Sequence, residues 1–354
     1  MTKNENHLIG YIGTYTKNGS EGIYSFILDM ENAKIIDVKA AAKLGNPTYV
    51  TVSENNRFLY SVMKDGDKGG VASYAINGNT HELQFLNSIV TDGASPCHVS
   101  VDRMNHNLFS ANYHKGTVES YMINPEDGSL LYASSVIEHQ GSGPDFRQEK
   151  AHTHYAEVTP DEKFVAVVEL GSDQLITYAI GEDAVLTEVN RLAVRPGSGP
   201  RHLTFHPNGK YAYIMTEFSS EVIVANYHAK DGSFEEKQSI STLPETFKEN
   251  NQGSAIHISS NGHFVYAGNR GHNSIAVFSV NPENGELSFV ERVSTEGDWP
   301  RDFVLDPTEK FLIASNQNSG NIVLYSRDEQ TGKLTLLQSD IMIPDPVCIK
   351  FLNL

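Results

Sequence analysis

The residues with the clearest potential for chemistry stand at the two ends of one predicted hairpin. The stretch 199–217, GPRHLTFHPNGKYAYIMTE, carries Arg201 near its start and Glu217 at its end, 16 positions later. A guanidinium pairs well with anions, and a carboxylate can accept a proton. The pair therefore has two interpretations, a surface ion pair or part of a site for an anionic ligand.

The residues between them predict how the two side chains are positioned. Positions 201–205 alternate apolar and polar residues and positions 211–215 are aromatic and β-branched, so both runs are typical of strands. Pro207-Asn208-Gly209 contains the residue types of a tight turn. Because an antiparallel hairpin brings its open ends together, we expect Arg201 and Glu217 to share one rim.

The same unit recurs along the chain. Aligned on the residue that begins the first strand, the copies start at Pro47, Pro96, Thr153, Pro200, Gly253, Pro300 and Pro346. The residues three and five positions after each start are apolar in every copy, as one buried face of a strand requires. Sequences typical of a second, third and fourth strand follow most of the starts, so each copy predicts a four-stranded antiparallel unit.

The last copy indicates how the units close. It contains only a first strand, and the runs 8–13, 23–27 and 34–40 near the N-terminus read as the three strands that it lacks. We therefore predict an all-β fold, a seven-bladed β-propeller whose C-terminal strand joins the three N-terminal strands, forming a single domain over residues 1–354. A β-sandwich would explain neither the fixed period nor the divided unit.

Composition narrows the possible partners and the compartment. The 354 residues carry a formal charge of −17, which argues against binding to nucleic acid or to an anionic membrane surface. Cys97 and Cys348 are too few for a disulfide framework, and the start MTKNENHLIGYIGTYT lacks a basic segment followed by an apolar run. We expect a cytoplasmic protein that is a monomer or a weak homodimer.

One mouth of the predicted propeller should collect ionisable residues from several blades, because first strands start there and second strands end there. Three arginines and three histidines in an acidic chain predict a funnel for a small anion. The expected rim residues are Tyr49, Lys64, His98, Asn112, Tyr113, His154, Glu169, Arg201, His202, Glu217, Asn269, Arg270, Arg301, Asn316 and Gln317. The irregular stretch 138–150 should lie over the same rim.

Some of these residues have a structural alternative. Asn112, Asn269 and Asn316 each stand 16 positions after a start, so they either cap the loop that leaves the second strand or contact a ligand. The pair His152 and His154 has the spacing of metal ligands on a strand, but no cysteine or carboxylate cluster accompanies it. We expect neither a metal nor a cofactor.

Three motifs give the chain a family resemblance. PRHLTFHPNGKYAYIMTE, HISSNGHFVYAGNRGHNSIAVFSV and WPRDFVLDPTEKFLIASNQNSG resemble the bacterial propeller-type lactonases. The named members of that family are 6-phosphogluconolactonases, and its distant relatives include fungal carboxymuconate-lactonising enzymes. The resemblance covers essentially the whole chain and implies a carboxylic ester hydrolase. It implies hydrolysis of 6-phosphogluconolactone to 6-phosphogluconate in the pentose phosphate pathway, without a metal.

The resemblance also implies roles for individual residues. Matched motif by motif, the catalytic set falls on His154, Arg201, Glu217 and Arg270. Either His154 or Glu217 can act as the base, and Arg201 can keep Glu217 ionised and donate to the oxyanion. The phosphate of the lactone is assigned to Arg270 and Arg301. The further substrate-binding residues expected on the rim are His98, His202, Asn269 and Gln317.

Two other functions stay open at this stage. One is a lactonase or cycloisomerase that acts on another carboxylated lactone. The other is a propeller that binds proteins and has no catalytic activity, since a fold does not determine a function. The Trp-Asp repeats of common scaffold propellers are absent, and Trp299 is the only tryptophan.

Overall fold

The computed structural model describes residues 6–354 as seven four-stranded antiparallel sheets. The innermost strands are β4 (Val50–Val52), β8 (His98–Val101), β12 (Thr153–Val158), β16 (Pro200–Phe205), β20 (Gln252–Ile258), β24 (Pro300–Leu305) and β28 (Pro346–Phe351). The second strands are β1 (His7–Thr14), β5 (Phe58–Asp65), β9 (Asn107–Asn112), β13 (Phe164–Glu169), β17 (Tyr211–Thr216), β21 (Phe264–Arg270) and β25 (Phe311–Asn316).

The outer half of each sheet has the same regularity. The third strands are β2 (Gly22–Asp29), β6 (Lys68–Ile76), β10 (Thr117–Ile123), β14 (Gln174–Ile180), β18 (Glu221–His228), β22 (Ser274–Val280) and β26 (Asn321–Arg327). The fourth strands are β3 (Lys34–Lys43), β7 (Leu83–Asp92), β11 (Leu130–Glu138), β15 (Leu186–Ala193), β19 (Ser233–Ser241), β23 (Leu287–Ser294) and β27 (Leu334–Met342). Blades 1 to 6 are β4–β7, β8–β11, β12–β15, β16–β19, β20–β23 and β24–β27; blade 7 combines β28 with β1–β3.

Blade 7 confirms the predicted closure. Strand β28 pairs with β1 in antiparallel register, with Ile349 opposite Ile12 and Phe351 opposite Gly10. Both C-terminal side chains are buried in a cluster with Phe26 and with residues of blade 6. The sheet that completes the ring is therefore held by both ends of the chain.

The repeated apolar pairs of the first strands confirm the predicted core only in part. The residue three positions after each start is buried in all seven blades. The residue five positions after the start is half-buried in six of them, and only Phe351 is buried. The core therefore lies between neighbouring blades at the middle of each first strand and thins toward the face opposite the rim.

Buried hydroxyl groups link most blades to the next blade. Each donates to a carbonyl in the turn between the third and fourth strands of its neighbour, over 2.6–3.0 Å: Tyr11 to His81, Ser73 to Gly128, Ser120 to Ala184, Thr177 to Gly232, Tyr213 to Gly285 and Tyr266 to Gly332. These bonds fix the angle between blades and so the spacing of the rim residues. No helix within residues 6–354 is long and apolar enough to span a membrane.

We expect Tyr213→Phe to lower the free energy of unfolding by about 1 kcal/mol, because the buried carbonyl of Gly285 loses its donor. Urea denaturation would measure the change. Tyr132→Phe, in a half-exposed side chain of β11, is the matched control and should change stability little. Equal midpoints for both variants and the parent chain would contradict a role for the hydroxyl in joining the blades.

Candidate active site

A cleft of about 440 Å³ opens at the mouth where the first strands start and the second strands end. Its lining residues come from all seven blades and from the loops between them: Tyr15, Asn46, Thr48, Lys64, Ala94, Ser95, Pro96, Cys97, Tyr113, His114, His154, Glu217, Gln252, Arg270 and Arg301. A narrow extension continues toward the axis and reaches Arg201, His202 and Asp302. Among residues 6–354, Glu217 is the only carboxylate that lines the main cleft.

Bulges in the first strands present three charged or imidazole side chains to this cleft. The pairing register skips one residue at the start of β12, β16 and β24, and the skipped residues are His154, Arg201 and Arg301. A bulge places two residues of one strand opposite one residue of the other and so redirects a side chain. The position directly after each start therefore faces the mouth.

The same geometry explains why His98 does not line the main cleft. In blade 2 the position directly after the start is Cys97, and His98 lies one residue deeper. Its ring packs between Tyr49 and Tyr155 with centroid distances of 4.4 and 4.1 Å. Burial, with Lys350 and Arg201 nearby, holds the pKa of His98 well below its ordinary value. This neutral ring supports the aromatic layer beneath the site.

The second strands also contribute side chains to the cleft. In each case the contributing residue comes directly after the one that pairs with the start of the first strand. Pro200 pairs with Thr216, so Glu217 is the next residue and reaches the cleft, and Arg270 follows Asn269 in the same way. Tyr15 occupies the equivalent position in blade 7. Tyr15 was not among the expected rim residues, although the assignment of residues 8–13 as the second strand of the seventh unit already places it at this rim.

Glu217 is held by two arginines through a single carboxylate oxygen. Its Oε2 lies 2.7 Å from Nη2 of Arg270 and 3.1 Å from Nε of Arg201. The Arg201 contact was predicted from the hairpin, whereas the Arg270 contact crosses from blade 4 to blade 5. Within residues 6–354, no hydrogen bond reaches Oε1 of Glu217, and the shortest contact from each arginine falls on Oε2. One oxygen is therefore fixed by charge, and the other is available to a ligand or a water molecule.

The charges in this group shift each other's pKa values. Burial raises the pKa of Glu217, but the positive charges of Arg270 and Arg201 outweigh it and hold the net pKa below the ordinary value. Burial and the neighbouring Arg270 lower the pKa of Arg201 to about 9, which is still above neutrality. At physiological pH the carboxylate and both guanidinium groups are therefore charged.

His154 is neutral at physiological pH. Burial, followed by the charges of Arg201, Arg301 and Arg270, holds its pKa well below the ordinary value. Its Nδ1 is buried and has no hydrogen-bond partner in the described chain. If His154 were the base, the acid limb of the rate profile would therefore lie below the ordinary pKa of a histidine.

Arg270 and Arg301 differ in how many of their donors are free. Besides its contact with Glu217, Arg270 donates to the carbonyls of Gly253 at 2.7 Å and Gln252 at 3.4 Å, and it packs near Trp299. Arg301 donates to Oε1 of Gln317 at 3.2 Å and packs over the ring of Tyr15. Arg301 therefore keeps donors for a ligand, and Gln317 orients it without lining the main cleft.

The asparagine column acts within the loops. Asn269 is fully buried, accepts hydrogen bonds from Thr242 and Asn251, and donates to Thr242 and Ser274. Asn112 and Asn316 likewise donate to loop carbonyls, those of Ala94 and Thr295. The capping alternative therefore describes this column, and the structure gives Asn269 no atom directed to the cleft.

Two further histidines of the prediction have different surroundings. His202 borders the narrow extension, packs 5.1 Å from the ring of His154, and burial holds its pKa well below the ordinary value. His152 stacks on Tyr113 at 4.1 Å and its Nδ1 lies 2.8 Å from the Tyr113 carbonyl oxygen. Only His154 of the His152/His154 pair lines the cleft.

Cys97 lines the cleft but is not an ionised nucleophile. Burial raises the pKa of its thiol to about 11. A cysteine needs its thiolate form to attack a carbonyl group. Covalent catalysis through Cys97 is therefore disfavoured. His154 and Glu217 remain the candidate acid–base groups of the cleft.

The connection between β11 and β12 forms a wall beside the site. Gln148, fully buried, donates to the carbonyl of Leu170, and Lys150 donates to that of His114. The guanidinium of Arg147 lies 3.8 Å from the ring centroid of Phe218, the residue after Glu217. This segment therefore spans the rim from blade 2 to blade 4, as the sequence predicted.

Comparison with known proteins agrees with this architecture. The family described as lactonase, seven-bladed β-propeller, matches residues 9–351. The 6-phosphogluconolactonase of Bacillus subtilis strain 168 is 57% identical over 345 residues, which cover 98% of each chain. A crystal structure of a Lactobacillus plantarum protein aligns with a TM-score of 0.94 at 41% identity and covers 98% of this chain and 100% of the other.

A further solved structure belongs to a relative that is named for a different lactone. The periplasmic gluconolactonase of Pseudomonas aeruginosa aligns with a TM-score of 0.92 at 31% identity, covering 98% of this chain and 99% of that one. The family match spans nearly all of the described residues, and the identities extend over full-length chains. This chain is a member of the seven-bladed β-propeller lactonase family.

Proposed function

We propose that this protein hydrolyses 6-phosphogluconolactone to 6-phosphogluconate in the cleft at the propeller mouth. The observation that carries the proposal is the state of Glu217, an ionised carboxylate with Oε2 clamped by two arginines and with no hydrogen bond to Oε1 from residues 6–354. A fixed, charged acceptor beside a cleft of this size fits the activation of one water molecule against one small substrate. The named activity of the Bacillus subtilis relative supports the same reaction.

In the proposed reaction Glu217 acts as the base. Oε1 accepts a proton from water while the water oxygen bonds to the lactone carbonyl carbon, and the carbonyl oxygen becomes negatively charged. Nη1 of Arg201 is buried and lacks a partner in the described chain, so it is the donor proposed for this oxyanion. The ring C–O bond then breaks, the ring oxygen leaves as a hydroxyl group with the proton that Glu217 took, and the new carboxylic acid ionises.

His154 has a supporting role in this scheme. Protonation of His154 would place a further positive charge, in a buried position, beside three arginines. The pKa of the ring is therefore low. As a neutral imidazole it can hold the water or the lactone carbonyl by one hydrogen bond. The order of effects in Glu217 and His154 variants distinguishes this assignment from the reverse.

The charge of the cleft favours a phosphorylated substrate. Lys64, Arg270 and Arg301 line it against a single carboxylate, within a chain of net charge −17. This local reversal of sign attracts a small anion, whereas the net negative charge of the whole chain repels acidic macromolecules. Unphosphorylated gluconolactone is the second candidate, because the Pseudomonas aeruginosa relative is a gluconolactonase.

We also propose a cytoplasmic protein that acts as a monomer or a weak homodimer. Cys97 and Cys348 are both free cysteines, which fits a reducing compartment. Every residue that we assign to the reaction belongs to one chain. No nucleic acid, membrane, metal or cofactor has a part in the proposed reaction.

The test is proton release from freshly prepared 6-phosphogluconolactone in weak buffer with a pH indicator. The product carboxyl has a pKa of about 3.5, so each turnover at neutral pH releases one proton. We expect a rate that rises linearly with protein concentration above the spontaneous rate and that exceeds the rate on glucono-1,5-lactone. A rate equal to spontaneous hydrolysis for both lactones would overturn the proposed function, and a preference for the unphosphorylated lactone would favour the second candidate.

A further inference from the structure

The cleft has two sides with different chemistry. The groups assigned to the reaction, His154, Arg201, Glu217 and Arg270, belong to blades 3, 4 and 5. Lys64 ends the second strand of blade 1 and also lines the cleft. Because seven blades surround the axis, blade 1 lies across the mouth from blades 4 and 5. A ligand whose reacting group is at Glu217 and that crosses the mouth would therefore reach toward Lys64.

The backbone of Lys64 is fixed, although its side chain is exposed. Its N–H donates to the carbonyl of Gly45 at 2.7 Å. A Cβ at position 45 would lie 2.2 Å from the Lys64 carbonyl oxygen, so this close approach of two chain segments requires glycine. The side chain therefore starts from a fixed point on the rim.

The ammonium group of Lys64 has no partner among residues 6–354. Two nearby rim lysines are engaged, since Lys115 donates to the hydroxyl of Thr91 and Lys150 to the carbonyl of His114. Lys64 forms no such bond, and a lysine can present all three ammonium donors to an anion. It is therefore the lysine of the cleft that is free to bind a ligand.

The neighbouring groups suit a phosphate. Arg301, on blade 6, donates from Nη1 to Gln317 and lines the same cleft. The Thr48 hydroxyl, on the blade 1 side, lines the cleft and has no hydrogen-bond partner in the described part of the chain. A guanidinium fork with an ammonium group recognises a phosphate dianion. Arg270 is less suited, because its Nε and Nη2 are taken by two carbonyls and Glu217, which leaves only Nη1 for a ligand.

We propose that Lys64 is a specificity-determining residue that binds the phosphate of the substrate, together with Arg301. The inference rests on the proposed function, because it takes the reacting carbonyl to lie at Glu217. It transfers the phosphate contact from Arg270 to the opposite side of the mouth. A phosphorylated lactone then spans the cleft, with its ring over blades 3 to 5 and its phosphate near blades 6 and 1.

The test compares Lys64→Met with Lys68→Met. Both changes remove one positive charge from the same hairpin, and Lys68 is exposed and does not line the cleft. We expect Lys64→Met to lower kcat/KM for 6-phosphogluconolactone about 10- to 100-fold, mainly through KM, as the loss of a charge-assisted contact implies. The rate on glucono-1,5-lactone should stay unchanged, Lys64→Arg should retain most of the preference, and Lys68→Met should leave both rates unchanged.

A binding measurement separates this proposal from the proposed function. Trp299 is the only tryptophan and lies 5.5 Å from the guanidinium of Arg270, so its fluorescence can report occupation of the cleft. We expect 6-phosphogluconate to bind the parent chain and Lys68→Met equally, Lys64→Met at least 10-fold more weakly, and gluconate to be unaffected by either change. This pattern in a chain without lactonase activity would support the phosphate subsite while overturning the proposed function. Equal losses on both lactones, equal binding of 6-phosphogluconate by all variants, or no binding by the parent chain would overturn the role of Lys64.

Discussion

Glu217→Gln should lower kcat on 6-phosphogluconolactone by about 10²- to 10⁴-fold, the range that a positioned general base contributes. Glutamine keeps the shape of the side chain and can still accept a hydrogen bond from Arg270. It cannot accept the proton of the attacking water, because an amide is a very weak base. The loss should therefore appear in kcat rather than in KM.

The same change should also destabilise the fold. Glu217 is buried between two buried guanidinium groups, and removing one partner of such a pair costs about 3–5 kcal/mol. Activity must therefore be measured well below the melting temperature of the variant, which thermal unfolding gives.

Glu169→Gln is the matched control for this loss of stability. Glu169 ends the second strand of blade 3, is fully buried and accepts hydrogen bonds from the backbone of Gly171 and Ser172. It does not line the cleft. We expect this variant to lose stability and to keep its kcat, whereas a comparable loss of kcat in both variants would trace the effect to folding.

The His154→Asn variant decides between the two candidate bases. If Glu217 is the base, His154→Asn should lose less kcat than Glu217→Gln. The reverse order would assign the base to His154. In both cases the profile of kcat/KM in the parent chain should lack a limb near pH 6.5, because the surroundings of both groups lower their pKa values.

The charges of Arg270 and Arg201 determine where kcat/KM falls on the acid side of the pH profile. With its pKa held below the ordinary value of 4.5, Glu217 stays ionised as the pH falls through 6 and 5, so kcat/KM should begin to fall only below about pH 4.5. The stabilisation from this carboxylate is likewise present above the unfolded pKa and is lost as the pH falls through the folded pKa. Acid unfolding and loss of activity are therefore expected in the same pH range.

Most of the fold could be predicted because each blade repeats one local pattern. The starts, five of them at proline, the apolar positions and the divided seventh unit are visible in sequence, and pairing of Ile349 with Ile12 confirms the closure. Contacts within one hairpin, such as Arg201 with Glu217, follow from the turn. These features need only neighbouring segments of the chain.

Contacts between blades were not predictable in the same way. Arg270 reaches Glu217 from the next blade, and the distance between blades depends on how all seven sheets close. The bulges that turn His154, Arg201 and Arg301 toward the mouth have no distinct sequence pattern. Counting along the strands therefore assigned His98 to the rim, whereas its strand presents Cys97 there.

The role of Arg201 can be tested by Arg201→Met, which we expect to lower kcat about 10²- to 10³-fold. That range is the usual effect of removing one donor to an oxyanion. Nη1 of Arg201 is buried without a partner, whereas Arg270 donates to two carbonyls. Arg270→Met should therefore reduce kcat less, although Arg270 makes the shorter contact with Glu217.

The pH profiles of these two variants carry the sharper comparison. Each change removes a positive charge beside Glu217, so each should raise the pKa of the carboxyl group and move the acid limb of kcat/KM to higher pH. The shift should be larger for Arg270→Met, because Nη2 of Arg270 lies 2.7 Å from Oε2 and Nε of Arg201 lies 3.1 Å from it. If Arg201 is the oxyanion donor, the losses of kcat at the pH optimum should follow the opposite order, with the larger loss in Arg201→Met. If Arg270→Met produced both the larger shift and the larger loss of kcat, Arg201 would be a positioning residue and Arg270 the donor.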